Sequence, residues 1–517
     1  MLKLHQFHGG LHLDGHKTES LGRGLQQATL PKRLFLPLRQ HIGEYNKALV
    51  EPGDRVLRGQ VIAANPTLIC APVHAPTSGV VSAIGDYQVA HPSGQSDTCI
   101  VIDVDGKDEA VESISLDPGK LTSSEMIERI CRAGIVGLGG AAFPTSPKLS
   151  RGKANGIDTL IINGVECEPY ITCDDILMRH YAAEVLRGTG YLQQILQPGR
   201  TMIGIEDNKP EAIAEMSKAF AQNPLANTEI VPIPTIYPSG GEKQLIQILT
   251  GEEVPHGQLA FDIGLFCQNV GTCVAITRAL EKDEPLISRV VTITGDNIVE
   301  PGNWEVRLGT PINHLIELAG GYGDAAGEHL VMGGPMMGFS LSSDQVPIVK
   351  ASNCIMVMRE KTIPQAPGYH DECIRCSKCT EVCPAQLLPQ QLYWHARAQA
   401  WERTQEFHLF DCIECGCCSA VSPSQIPLVQ YYRAAKSEIR AAQKAQFKSD
   451  RARVRFEFRE KRLLLKQQKD EERRRLKREA LQKKRAEPGA AEPAPDPVQA
   501  ALERVKARKK SIRKESQ

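Results

Sequence analysis

Two short cysteine runs constrain the fold of this chain more than any other feature of its sequence. The first begins at Cys373 and has the pattern C-x2-C-x2-C-x3-C-P; the second begins at Cys412 and repeats it with Ser422 as its fourth member. Three thiolates at i, i+3 and i+6 can wrap one corner of an iron–sulfur cube, and a distant fourth ligand closes the site. Structural zinc sites usually pair two C-x2-C knuckles across a long spacer. The runs therefore favour iron–sulfur over zinc.

The paired runs resemble those of two-cluster ferredoxins, in which the last cysteine of each run binds the other cluster. The resemblance implies two [4Fe–4S] clusters with exchanged fourth ligands. The implied ligands are Cys373, Cys376, Cys379 and position 422 for the first cluster, and Cys412, Cys415, Cys418 and Cys383 for the second. Iron–sulfur clusters carry electrons, so the runs point to electron transfer.

Ser422 departs from this pattern. A serine oxygen is a harder ligand than a thiolate, so we expect a less stable first cluster with a changed potential. The first cluster could use the serine oxygen, a water-derived ligand, or a three-iron form. Cys417 is a spare thiol nearby. Because it is directly beside Cys418, its side chain should point away from the position of the missing fourth cysteine.

The remaining cysteines and the apolar runs bear on disulfide formation and on membrane insertion. The chain holds 16 cysteines, and its first ten residues, MLKLHQFHGG, contain no apolar signal core. We therefore expect no disulfide framework, and the cysteines outside the two runs should mostly be buried small residues. No apolar run approaches the roughly 18 residues needed to cross a bilayer, so a soluble or peripheral protein is expected.

A glycine-rich loop at residues 134–145 is the second strong motif. Gly137, Gly139 and Gly140 would let backbone N–H groups approach a phosphate, and Lys148 could add a point charge. Taken alone, such a loop could be a plain structural turn.

A strand end downstream strengthens the nucleotide interpretation. Asn163, Glu166 and Glu168 follow the apolar run that starts at Thr159. Ligands gather at strand ends of open α/β sheets. An amide there can bond a ring carbonyl, and a carboxylate can accept from ribose hydroxyls or a nicotinamide amide. Without the glycine loop upstream, the two glutamates could equally lie in a solvated turn.

Together these motifs resemble the flavin- and NADH-binding subunit of respiratory complex I, where a GxGGAxFPT loop cradles FMN and an N-x-x-E-x-E-P strand end holds FMN and NADH. One nicotinamide contact of that family is a glutamate where this chain has Lys243. The implied cofactor-binding residues are Gly137, Gly139, Gly140, Phe143, Lys148, Asn163, Glu166, Glu168, Glu242 and Asn269. The resemblance implies FMN as cofactor and NADH as substrate, with the nicotinamide near Phe143. Hydride transfer needs no general acid or base, so no catalytic residue is nominated.

The order of segments is similar to the RnfC (RsxC) family over about residues 1–435. The expected fold is multidomain, α+β and α/β. The predicted parts are a β hammerhead or barrel-sandwich domain (1–118), an α/β flavin/NADH domain (119–262), a β-grasp module (263–350), a small α-helical two-cluster ferredoxin domain (360–432) and a basic helical, partly disordered tail (433–517). The hairpin at residues 70–76 lacks the lysine that carries a cofactor in biotinyl and lipoyl hammerheads, so only the shape is expected here.

This resemblance implies a translocase-class oxidoreductase subunit, peripheral on the cytoplasmic face of the cell inner membrane. It would pass electrons between NADH and ferredoxin or another redox protein, with the other Rnf (Rsx) subunits as partners. A rival hypothesis, favoured by Ser422 and Lys243, is an electron conduit or assembly scaffold without flavin.

The charge is strongly asymmetric, although the whole chain has a formal net charge of zero. From Arg433 onward there are 28 Lys and Arg against 13 Asp and Glu, which leaves an acidic body and a basic tail. The tail could meet an acidic protein, a lipid surface or nucleic acid. Few aromatic residues interleave with its charges, so nucleic acid is the least favoured partner.

Overall fold

The computed structural model describes residues 3–67, 69–113, 117–323, 328–359, 371–486 and 496–514. The chain forms two compact units, Met1–Lys436 and Ser437–Gln517. The first 30 residues are largely irregular, as predicted. Within the described residues they contain only α1 (Thr18–Leu21) and β1 (Leu25–Gln27) as regular elements.

Two small antiparallel sheets follow, with strand orders β2-β8-β7-β4 and β3-β5-β6. The strands are β2 (Arg33–Pro37), β3 (Lys47–Ala48), β4 (Arg55–Val56), β5 (Val61–Ala64), β6 (Val73–His74), β7 (Gly79–Gln88) and β8 (Ser96–Val104). Leu34 and Leu36 are fully buried on one face of β2, as the two-residue period of a strand requires. The predicted β-rich N-terminal part is therefore present.

A parallel four-stranded sheet with order β11-β10-β9-β12 forms the next part. Helices on both sides leave strand β9 almost entirely buried, which explains the continuous apolar run from Thr159. The elements are α2 (Ser123–Arg132), α3 (Thr145–Asn155), β9 (Thr159–Gly164), α4 (Cys173–Leu196), β10 (Arg200–Glu206), α5 (Pro210–Gln222), β11 (Thr228–Ile233), α6 (Glu242–Thr250), β12 (Leu265–Asn269) and α7 (Val270–Lys282). The βαβ alternation expected from the sequence is present.

The sheet extends beyond the predicted boundary at residue 262. Strand β12 pairs in parallel with β9, with Asn269 opposite Asn163. Residues 265–282 therefore pack with the parallel sheet, although they were expected in the following module. That pairing joins segments about one hundred residues apart, so local spacing gave no sign of it.

A six-stranded mixed sheet, β1-β14-β13-β17-β15-β16, comes third. Its elements after β1 are β13 (Ser288–Thr294), β14 (Gly302–Arg307), α8 (Ile312–Leu318), β15 (Glu328–Met332), β16 (Phe339–Leu341) and β17 (Cys354–Arg359). The sheet draws β1 and β17 from outside the predicted span 263–350. Ile293 and Trp304 share one hydrophobic core with Leu34 and Ile100 of the N-terminal sheets, so these two parts are packed together.

The cysteine runs lie among four short helices, α9 (Lys378–Glu381), α10 (Pro389–Arg397), α11 (Trp401–Glu406) and α12 (Cys417–Ala420). Left-handed backbone conformations recur at equivalent places in the two runs. Arg375 and Glu414 have φ of 58° and 59°, and Gln386 and Gln425 have φ of 52° and 49°. The two runs therefore fold as structural repeats. Residues 360–370 of the predicted segment lie outside the described residues.

The tail contains the helices α13 (Leu428–Ala486) and α14 (Pro497–Lys514). Both fit the helix-forming composition of the tail. Residues 487–495 of the predicted Pro/Ala linker lie outside the described residues. Among the helices that the structure describes, none combines the length and apolar character that crossing a bilayer demands.

Candidate functional site

The glycine loop lies between α2 and α3, against the start of α7. Its backbone is closed by a hydrogen bond from the Gly137 N–H to the Phe143 carbonyl (2.8 Å). The Leu138 N–H donates to the hydroxyl of Thr272 in α7 (3.0 Å). Gly140 has φ of +116°, a conformation that a residue with a Cβ rarely adopts. The loop is therefore fixed at the carboxyl edge of the parallel sheet.

Asn163 and Asn269 end two neighbouring strands at this same edge. The Asn163 amide donates to the Gly240 carbonyl (2.9 Å). The Asn269 side chain accepts from the Gly271 N–H at the start of α7 and donates to Asp174 (2.7 Å). A Cβ on Gly139 would lie 3.3 Å from the Asn269 Cβ, which brings the loop and the strand end into contact.

Lys148 and Glu242 also meet at this edge. The Lys148 ammonium donates to the Cys267 carbonyl (2.6 Å) and lies 3.4 Å from the Glu242 carboxylate. Phe143, half-buried, closes the C-terminal side of the loop. Backbone N–H groups, the Lys148 ammonium and the Glu242 carboxylate are therefore gathered at one edge of the sheet.

Glu166 is buried at the N-terminus of α4. Its carboxylate accepts from the N–H of Asp174 (2.7 Å) and, more weakly, of Asp175 (3.4 Å). Burial raises the pKa of Glu166 to about 8, although Lys17 acts in the opposite direction. Its carboxylate oxygens therefore bind the N-terminal N–H groups of α4. Its backbone carbonyl faces Lys17 of the N-terminal segment.

Lys17 is a site residue that the sequence analysis missed. Its ammonium donates to the carbonyls of Glu166 (2.7 Å), Glu168 (2.9 Å) and Ile171 (2.7 Å). Burial lowers the pKa of Lys17, and Glu166 opposes that shift. Lysine in an irregular lead-in carries no local signal of such a role, because its partners are about 150 residues away.

Glu168 connects the strand end to the six-stranded part. One carboxylate oxygen accepts from the N–H groups of Met336 (2.7 Å) and Met337 (3.0 Å), in the loop between β15 and β16. A Cβ on Gly334 in that loop would lie 2.2 Å from the Glu168 Cγ. The close approach requires glycine at this position.

Two cavities gather the cysteines of the two runs. The first is lined by Cys373, Cys376, Cys379 and Ser422, and the second by Cys383, Cys412, Cys415 and Cys418. The cavities therefore combine side chains of both runs in the exchanged order that the ferredoxin resemblance implies. Four thiols suit a [4Fe–4S] cluster, whereas the first cavity offers three thiols and one hydroxyl. None of the described cysteines forms a disulfide.

Ser422 and Cys417 belong to different cavities. The Ser422 hydroxyl accepts from the Ile426 N–H (3.2 Å) and lines the first cavity. Cys417 is fully buried and lines the second cavity beside Cys415. This placement agrees with the expectation that Cys417 points away from the vacancy.

The nucleotide-type site and the second cavity are in direct contact. Tyr237 follows β11 and lies next to the Glu168 carboxyl group. Its hydroxyl donates to the Cys415 carbonyl (2.6 Å). A Cβ on Gly416 would lie 2.6 Å from the Met336 carbonyl, in the loop that holds Glu168. Gly10 lies beside Tyr237, and its N–H donates to the carbonyl of Val382 in the first run (3.1 Å). A short route therefore joins the strand end of β9 to the second cysteine run.

Comparison with known protein families matches three segments. A model described as the Nuo51 FMN-binding domain matches residues 130–278, the RnfC barrel sandwich hybrid domain matches residues 5–107, and the SLBB domain matches residues 290–340. The first match ends within α7, in agreement with the observed position of β12.

Full-length relatives are similar along almost the whole chain. The C subunit of the ion-translocating oxidoreductase complex of Serratia proteamaculans is 48% identical over 98% of this chain and 70% of its own length. The proteins of that name from Pectobacterium atrosepticum and Vibrio cholerae are each 47% identical, over 98% and 99% of this chain and 71% and 65% of their own lengths. Among solved structures, an NAD+-reducing [NiFe]-hydrogenase chain aligns over 64% of this chain and 67% of its own length at 16% identity, with a TM-score of 0.44.

Proposed function

Because the chain belongs to the family of C subunits of the ion-translocating oxidoreductase complex, we propose that it moves electrons between NADH and a ferredoxin-type carrier. It is the oxidoreductase subunit of such a complex, with an FMN-binding type of domain at its centre. The observation that carries the proposal is the direct contact between the nucleotide-type site and the second cysteine cavity through Tyr237 and the Glu168 loop.

FMN is the cofactor that suits the central site, because a flavin takes up a hydride as two electrons and releases them singly. Backbone N–H groups of the glycine loop would bind the FMN phosphate, and Lys148 would add positive charge at that edge. Asn163, Asn269 and Glu242 would contact flavin or NADH, and Phe143 would lie against the nicotinamide. Glu166 would shape the site by holding the N-terminus of α4, and Glu168 by holding the loop that contains Met336.

The two cysteine cavities would hold the iron–sulfur clusters. The second cavity, with Cys383, Cys412, Cys415 and Cys418 as the four candidate ligands, suits a complete [4Fe–4S] cluster and lies next to the central site. The first cavity would hold a cluster bound by three thiolates, with Ser422 at the fourth position. Electrons would leave the flavin side through the second cavity first, since Tyr237 and Met336 contact that run.

The partners and the location follow from the family. We infer that the chain binds the other Rnf subunits as a peripheral protein on the cytoplasmic side of the inner membrane. The five-part division also belongs to this proposal, with a hammerhead-like barrel, a flavin/NADH domain, a β-grasp module, a ferredoxin domain and a basic tail. The pairing of β12 with β9 supports a boundary between the second and third parts after α7.

An anaerobic titration tests the proposed activity. Full-length protein loaded with FMN and iron–sulfur clusters is expected to lose its flavin absorbance on addition of NADH, and cluster EPR signals should then appear. NAD+ added in the same way is the control, since it cannot donate a hydride. Flavin that stays oxidised after NADH addition would contradict the proposal.

A flavin-free electron conduit is the second candidate function, and Ser422 and Lys243 are the observations that favour it. Flavin content per chain after gentle purification separates the two. About one FMN per chain supports the oxidoreductase, whereas cluster-loaded protein that neither retains nor binds added FMN supports the conduit.

Replacing Gly334 with alanine should disturb electron passage between the two sites. The new methyl would overlap the Glu168 side chain and break its bonds to Met336 and Met337. Because small displacements in such sites are costly, we expect cluster reduction by NADH to slow on the order of tenfold, with flavin bleaching little changed. Stopped-flow absorbance measures both steps.

The control for this prediction is Gly85→Ala in β7. Only the edge of the Tyr87 ring, at 3.9 Å, lies near its Cβ position. The control should behave as wild type. Equal cluster-reduction rates in Gly334→Ala and wild type would show that the Glu168 loop is not needed for electron passage.

A further inference from the structure

A group of potential metal ligands lies outside the sites described above. The imidazoles of His256 and His408 and the carboxylate of Asp411 place one ligand atom each within 4.8 Å of one another. His256 follows α6 of the parallel-sheet part, whereas His408 and Asp411 directly precede the second cysteine run. We propose that these three side chains bind a divalent transition-metal ion, with zinc as the best match, and that the ion joins these two parts.

The three side chains are already close to a coordinating arrangement. His256 Nδ1 lies 2.5 Å from Asp411 Oδ2. The rings of His256 and His408 have centroids 5.0 Å apart, with planes at 71°. Ligands of tetrahedral zinc, at bond lengths near 2.0–2.1 Å, lie roughly 3.3 Å from one another. Side-chain movements of about 1.5 Å therefore suffice, and the His256 side chain is 62% exposed and free to make them.

The local backbone holds His408 and Asp411 on one side of a tight turn. The Asp411 N–H donates to the His408 carbonyl (2.9 Å), which closes a single 3-10 turn over Leu409–Asp411. The His408 imidazole makes no hydrogen bond to the residues that the structure describes, so its ring nitrogens are available to a metal. His256 occupies a turn that includes Gly257, which has φ of +73°.

The donor set indicates the class of metal. Two imidazoles and one carboxylate suit zinc and its first-row neighbours, whereas calcium and magnesium prefer oxygen ligands alone. Three protein ligands leave one position for water, as in zinc sites that are open to solvent. The set contains no sulfur, which distinguishes it chemically from both cysteine cavities. The proposal does not depend on flavin or cluster chemistry.

Zinc binding to the cluster-loaded, tag-free full-length chain tests the proposal. Equilibrium dialysis against buffered zinc, followed by metal analysis, should give one zinc per chain with the iron content unchanged. His256→Ala and His408→Ala should each weaken binding at least about tenfold, because each removes one of three ligands. His91→Ala, at an exposed histidine of the β7–β8 hairpin, is the matched control and should bind as wild type.

Zinc-edge X-ray absorption of the wild-type protein gives a second measurement that needs no variant. The expected spectrum shows two imidazoles and oxygen around zinc, and no sulfur. Sulfur neighbours, or iron lost in proportion to the zinc gained, would place the ion on the cluster thiolates and overturn the proposal. Equal zinc affinity in wild type and both histidine variants would also overturn it.

Discussion

After brief exposure to air, replacing Ser422 with cysteine is expected to raise the iron content from about seven to about eight atoms per chain, because it supplies the fourth thiolate of the first cluster. Ser422 lines the first cavity with Cys373, Cys376 and Cys379, and its hydroxyl is engaged by the Ile426 N–H. A neutral hydroxyl is a poor and hard ligand for iron, so the wild-type cluster should lose its least protected iron on exposure to air.

Iron analysis and EPR of the oxidised protein check this prediction. The wild-type protein should show a three-iron signal after brief exposure to air, and Ser422→Cys should not. Ser419→Cys is the control, because it adds a thiol three residues away at a position that lines neither cavity. If Ser422→Cys and wild type had the same iron content and the same signal, Ser422 would not be the deficient ligand.

Replacing Gly139 with valine is expected to remove most of the bound flavin. Even a Cβ at this position would lie 3.3 Å from the Asn269 Cβ and 3.5 Å from its amide nitrogen. The branched methyl groups of valine would push the loop away from the strand end and cover the N–H groups that would bind the FMN phosphate. We expect flavin per chain to fall at least about tenfold, with the iron content unchanged.

Flavin released by denaturation and a parallel iron assay measure this effect. Gly22→Val is the control, since nothing lies within 4 Å of its Cβ position and its φ is −66°. Retention of one flavin per chain by Gly139→Val would place the flavin away from the glycine loop. A simultaneous loss of iron would instead indicate a general folding defect.

The sequence was informative wherever the chemistry is local. The spacing from Cys373 to Cys383, repeated from Cys412, indicated iron–sulfur sites. The ferredoxin resemblance implied the grouping of residues that line the two cavities. The apolar runs near Thr159 and Thr201 predicted parallel strands, because strands covered on both faces are continuously apolar. In these segments, residue type and spacing carry the information.

The sequence was uninformative where distant segments meet. Lys17 lies about 150 residues from the carbonyls that it binds, and no local pattern marks it. The Met336 N–H that holds Glu168 is a backbone group, which any residue other than proline offers. The pairing of β12 with β9 likewise depends on the assembled sheet. Such contacts arise from the fold as a whole.

The N-terminal segment has a practical consequence for anyone who handles the protein. His8 contacts the Cys383 carbonyl, Gly10 bonds to Val382, and Lys17 binds the strand end beside Glu166. A purification tag or fusion partner joined just ahead of these residues would disturb the contacts to both the nucleotide-type site and the cysteine runs. Labels and surface-attachment handles are better placed after α14, because the segment around His8 makes contacts to the cysteine runs.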